Sequence, residues 1–121
     1  MLGRASSARS ILNSAAELKR QIDALGNPES AATLQRFFKT GPGEYGEGDS
    51  FVGVKVPPLR KLAKVHRDLP LQEVDELLAS SVHEHRSAGL IILTERAKRA
   101  DRAQGKELYD FYLARTERIN N

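Results

Sequence analysis

A chain of 121 residues and 13.4 kDa allows one domain and hardly two, and its 40% hydrophobic and 29% charged residues exclude wholesale disorder and low complexity. The absence of cysteine excludes a disulfide scaffold, a thiolate zinc site, an iron–sulfur cluster and a cysteine nucleophile. A net charge of +3 and a pI of about 9.4 admit nucleic acid as a partner without demanding it; no apolar run nears the ~20 residues of a membrane helix, and Met1–Ser10 lacks the apolar region of a secretory signal, so a cytoplasmic protein is the expectation.

Ile11, Ala15, Leu18, Ile22 and Leu25 recur at helical spacing and predict an amphipathic helix over about 6–25, stopped by Gly26. Asn27-Pro28-Glu29 is a start signal: a cap, a proline suited to the first turn, and an acid that complements the dipole. The helix it opens, about 28–39, presents Ala31, Leu34, Phe37 and Phe38. Glycines at 41, 43, 46, 48 and 53 then rule out helix, since each costs up to ~1 kcal/mol there. Residues 41–55 are expected to be the longest non-helical stretch, with a short extended piece through Val52, Val54 and Val56.

Pro57-Pro58 opens a third helix, about 57–67, with Leu59, Leu62 and Ala63 inward. A fourth, about 71–79, packs through Val74, Leu77 and Leu78, and a fifth, about 83–100, through Leu90, Ile91 and Leu93. The sixth, about 105–118, carries Leu108, Phe111, Tyr112 and Leu113. Most of Phe37, Phe38, Tyr109, Phe111 and Tyr112 are expected in the core. The fold class is therefore all-α, with at least ~60% helix, as an α-solenoid of HEAT-like helical hairpins or a compact bundle.

Residues 57–70 hold Arg60, Lys61, Lys64 and Arg67 against Asp68 alone, a net +3 that matches the whole-chain excess. Arg60, Lys64 and Arg67 fall at i, i+4 and i+7, a stripe that fits a phosphate backbone and equally fits a solvated face. Gly41 to Asp49 is glycine-rich, but Glu44, Glu47 and Asp49 repel phosphate and the Walker pattern is missing. EF-hand spacing is missing as well. His83-Glu84-His85 suggests a metal, yet side chains at i and i+2 of a helix diverge. The plainer reading has Ser80 or Ser81 capping the fifth helix and Glu84 in its first turn. No nucleophile–base pattern is present, and neither metal nor cofactor is expected.

The run Gly43-Glu44-Tyr45-Gly46-Glu47-Gly48-Asp49, with Phe51, Gly53-Val54, Val56-Pro57, Leu59-Arg60 and Leu62-Ala63, resembles the DNA alkylation repair family, the AlkD-like proteins. His83-Glu84-x-Arg86 before Leu90-Ile91-x-Leu93, and Tyr112 before Arg118-Ile119-Asn120-Asn121, extend the resemblance from about residue 27 onward. It implies a right-handed solenoid of HEAT-like repeats with a basic concave face, in proteins that release alkylated purines from duplex DNA without the usual flipped-base pocket. It also implies that the helix with Arg60, Lys61 and Lys64 helps line that face, to which the stripe pattern adds Arg67 as a nucleic-acid-binding candidate, and that Phe37 stands where some members place an aromatic near the lesion. The family's catalytic tryptophan and aspartate follow the position of Asn121, so none of its catalytic residues transfers. The chain is expected to be a truncated N-terminal portion, inactive alone, that binds alkylated duplex DNA. It is also expected to self-associate through Leu108, Phe111, Tyr112 and Ile119. The alternatives are a non-enzymatic HEAT-like DNA-binding module and a helical protein-interaction scaffold.

Overall fold

The computed structural model describes residues 13–38, 41–43 and 48–116. They form six α-helices: α1 (Ala15–Ala24), α2 (Pro28–Phe37), α3 (Val56–Val65), α4 (Leu71–Leu78), α5 (His83–Ala97) and α6 (Arg102–Leu113). Helix accounts for 67% of the described residues, so the all-α expectation holds. The β feature among them is one isolated parallel bridge between Ser50 and Val82. Ile11, Ile119 and the loop acids Glu44 and Glu47 lie outside the described residues.

The helix boundaries follow their caps. Ser14 is extended (φ −122°, ψ 156°) and accepts the Glu17 N–H, which starts α1 at Ala15; the part of the expected helix before residue 13 lies outside the described residues. Asn27 accepts the Ser30 N–H and opens α2 as expected. α6 begins earlier than position 105, because Asp101 and Gln104 form a reciprocal capping box that starts the helix at Arg102. Neither Ser80 nor Ser81 caps α5. Val82 occupies the cap position, held extended by the bridge in which Ser50 donates to the Ser81 carbonyl (3.0 Å) and accepts from the His83 N–H (2.8 Å).

One core joins the helices. Ala15, Leu18 and Ile22 from α1 meet Leu59 and Ala63 from α3 and Val74, Leu77 and Leu78 from α4. α5 is the hub, packed against α1, α3, α4 and α6. A fully buried Leu, Ile or Val contributes ~1.5–3 kcal/mol, so these stripes hold the fold. The α5 core is rotated from the expected one: Ala88 and Ile92 are fully buried, Leu93 nearly so, and Leu90 and Ile91 only half-buried. Neighbours on several sides of α5 enclose a wider arc than a surface helix presents.

The aromatic expectation is overturned. Phe37, Phe38, Tyr109 and Tyr112 are exposed and only Phe111 is partly buried. α2 buries no residue completely, and the outer face of α6 has no helix over it among the described residues. Leu25 is also half exposed, because it is the terminal cap of α1 rather than part of its stripe.

His66 closes α3, is 7% exposed, and has Nε2 2.8 Å from Gln21 Oε1. Burial holds its pKa below the usual 6.5, opposed in part by the Glu17 carboxylate. The unfolded chain therefore takes up the proton first. Stability is level where His66 is neutral in both states and declines as pH falls through about 6.5. The expected result is a melting temperature that drops between about pH 7.5 and about pH 5.5, with a smaller drop in His66→Gln. An identical drop in the variant rejects the assignment.

Candidate nucleic-acid interface

Pro57 and Pro58 occupy the first turn of α3, where missing N–H groups cost little. With Leu59 and Ala63 turned into the core, Arg60, Lys61 and Lys64 stand exposed. α3 ends at Val65, so Arg67 lies in the following turn; its N–H donates to the Lys64 carbonyl (3.3 Å), which carries the stripe beyond the helix. Arg60, Lys61 and Arg67 have no ion-pair partner among the described residues. Lys64 lies 4.0 Å from Glu95 of α5, and Lys98 lies 3.1 Å from the same oxygen. The hydrogen bond from Lys98 first, then the charges of Lys98, Lys64 and Arg99, hold the Glu95 carboxyl below its usual range.

α3 and α5 run parallel. The segment entering α3 is bound at the start of α5, and Lys64 meets Glu95 near their carboxyl ends. At the amino end Glu84, 2% exposed, accepts from the Val52 N–H (3.0 Å), the Gly53 N–H (2.9 Å) and the Val54 N–H (3.2 Å). The expected short extended piece through Val52, Val54 and Val56 is instead a loop at 52–54 pinned by a carboxylate, and Val56 is already the first residue of α3. Arg86, also buried, donates from Nη1 to the Ser80 carbonyl (3.0 Å), with Nη2 2.6 Å from Asp49 Oδ1. His83 Nδ1 lies 3.5 Å from the other Asp49 oxygen.

Above this network the rings pile up. Phe51 and His83 have centroids 4.8 Å apart, Phe38 stacks on Phe51 at 5.4 Å, and Phe37 meets Phe38 edge-on at 5.2 Å. Phe37, 75% exposed, is the outer end. The structure thus gathers Arg60, Lys61, Lys64 and Arg67 along α3 and leaves Phe37 with the pile at the amino end of α5. His83 and Glu95 are 12 residues apart, about 18 Å of helix.

The two histidines diverge. His85 places Nε2 2.7 Å from Asp23 and Nδ1 2.8 Å from the Ser80 hydroxyl. A carboxylate only accepts, so Nε2 carries the proton. This pairing ties α1 to α5, while His83 serves the loop. Among the described residues no group of three or more His, Asp or Glu side chains is placed to hold a metal ion, and no helix is long and apolar enough to cross a membrane.

The model of the family described as DNA alkylation repair enzyme matches residues 18–121. This chain belongs to that family. No curated protein matches the chain, and no solved structure does. The motif that carries the resemblance to the DNA alkylation repair family has an architectural role in this chain: Glu84 and Arg86 fasten the loop of Asp49, Phe51 and Gly53. The cations at the carboxyl end of α5, Arg96, Lys98 and Arg99, were not among the sequence candidates. Their signal was present as a basic last turn following a buried stripe.

Proposed function

We propose that this chain is the duplex-DNA-binding portion of a DNA alkylation repair protein, holding the phosphate backbone along the exposed face of α3 beside α5. The observation that carries the reading is the stripe itself, in a member of this family: Arg60, Lys61 and Arg67 are exposed without ion-pair partners among the described residues. Unpaired surface cations in a row release counterions when they meet phosphates, whereas paired ones exchange one partner for another. The packing of α1 on α4, of α3 on α5, and of the consecutive helices α4 and α5 on each other supports a HEAT-like reading. Phe37 stands apart from the stripe as an aromatic contact. The glycosylase reaction that the resemblance implies is assigned to no residue here, and a cytoplasmic setting accords with the reading.

The test is binding of a labelled duplex across a range of salt. Arg60→Glu with Lys64→Glu is expected to weaken binding by at least tenfold near 0.1 M salt and to flatten the salt slope by about 0.9 to about 1.8, roughly 0.9 for the phosphate held by Arg60 and up to the same for Lys64, which first leaves Glu95. An unchanged affinity and slope would make the stripe a solvated face.

One observation favours a second, compatible reading. Of the residues expected to lie uncovered, Leu108 is buried and Phe111 partly so because both face the core, whereas Tyr109, Tyr112 and Leu113 are exposed together on α6, at 61%, 40% and 47%, and a contiguous apolar patch of this kind is adhesive. Self-association through α6 is its expected consequence, relieved by Tyr112→Glu with Leu113→Lys. Sedimentation showing a wild-type monomer at every concentration rejects it.

A further inference from the structure

The stripe on α3 ends at a cleft that no local sequence motif marks. The cleft measures about 320 Å³ and lies between the turn after α3, the carboxyl end of α5 and the first half of α6. Its cationic walls are Arg67, Arg96 and Arg99, and its anionic walls are Asp68, Glu95 and Glu107. The formal count balances, but the groups are not equally available. Glu95 already holds Lys98 at 3.1 Å and Lys64 at 4.0 Å, so the cleft with its immediate neighbours carries two more positive charges than negative.

Arg96 is committed to the fold: its Nη1 donates to the Leu69 carbonyl at 2.6 Å and fixes the end of α5 against the turn before α4. Arg67 and Arg99 are exposed and make no ion pair among the described residues. Two guanidinium groups lining one small polar space, in a cationic excess that outweighs Asp68 and Glu107 on the same walls, suit a tetrahedral oxyanion. Guanidinium forks match phosphate oxygens in pairs.

We propose that this cleft seats one phosphate group between Arg67 and Arg99. The favoured source is the backbone of bound duplex DNA, because Arg67 is also the last cation of the stripe and the cleft continues its line. This rests on the reading that α3 faces DNA. It adds Arg99, from a different helix, as a second anchor that fixes where the backbone leaves the α3 face. The free anion is the other source of the same chemistry.

The experiment compares five proteins in duplex binding across salt: wild type, Arg67→Lys with Arg99→Lys, Arg99→Gln alone, Arg60→Glu with Lys64→Glu, and Arg67→Gln with Arg99→Gln. The last pair is expected to weaken binding about eightfold near 0.1 M salt and to reduce the slope by about 0.9, the value for one shared phosphate; two separate phosphates would remove about 1.8. Arg67→Lys with Arg99→Lys is expected to keep the slope while losing part of the affinity, since lysine keeps charge without the fork. If the stripe variant weakens binding and Arg99→Gln, which leaves the α3 stripe whole, does not, Arg99 anchors no backbone phosphate and the proposal is overturned. A slope change near 1.8 overturns the shared seat. If wild type does not bind duplex DNA, the reading of α3 fails, and titration with inorganic phosphate then decides the cleft. Saturable binding lost in Arg67→Gln with Arg99→Gln sustains the anion site with a free source, and no saturable binding overturns it. Both arginines are exposed, and matching circular dichroism and melting curves show that each variant is folded.

Discussion

Glu84→Ala is expected to lower stability by about 3–5 kcal/mol, which for a domain of this size is a fall in melting temperature of roughly 10–20 °C. The side chain is 2% exposed and its two oxygens receive the N–H groups of Val52, Gly53 and Val54. Alanine leaves these donors with no acceptor in a site that water barely reaches, and each buried unsatisfied donor costs ~1–3 kcal/mol. The sum is reduced because the loop relaxes toward solvent. Glu84→Gln keeps one carbonyl oxygen but turns an NH₂ toward N–H groups, so it is expected to recover only part of the loss. Chemical denaturation measures both. A loss below about 1 kcal/mol in Glu84→Ala would mean that the loop is held by its ring contacts and not by the carboxylate.

Gly53→Ala is the second large effect, expected at about 3 kcal/mol or more. Gly53 has φ of +82°, a left-handed conformation that costs an L-residue ~1–2 kcal/mol. Space is the greater obstacle. A Cβ there would overlap the Asn27 carbonyl oxygen and come within 2.7 Å of the Ala31 nitrogen. Those atoms belong to the cap and first turn of α2, and Asn27 is itself fastened to the loop, donating to the Val52 carbonyl at 2.8 Å. Backbone cannot move aside as the tip of a side chain does, so either α2 shifts or the loop leaves Glu84. By contrast Gly43 and Gly48 also have positive φ but open space around the missing Cβ, so alanine there is expected to cost only ~1–2 kcal/mol of conformational strain.

Helix type and number were legible because periodic apolar spacing reports directly on which face meets a core. Val74, Leu77 and Leu78 recur at that spacing and all three are fully buried. The starts at Ala15 and Arg102 were written as Ser14-x-x-Glu17 and Asp101-x-x-Gln104, short signals outweighed by the longer stripes around them. The exposed rings were not legible. Phe37 and Phe38 have the composition of a core, and only the placement of α2 away from the packed helices leaves them at the surface. The candidate basic site was half legible. Arg60 and Lys64 share a helix, so 3.6-residue periodicity groups them. Arg67 and Arg99 line one cleft only because α5 returns beside α3, a relation between segments about 30 residues apart that no local pattern encodes.

The clasp between Glu84 and residues 52–54 changes how the glycine-rich connection moves. A loop of that composition ordinarily opens by itself, with little free energy separating its closed and open forms. Here its amides close on an acid in the first turn of α5, with Arg86 and His83 from the same turn gripping Asp49. Releasing the loop strands that acid and that arginine in the interior, and loosening the start of α5 releases the loop. The two stretches, remote in the chain, therefore open as one cooperative unit, and the amide of Gly53 is protected by the helix hub rather than by its own surroundings.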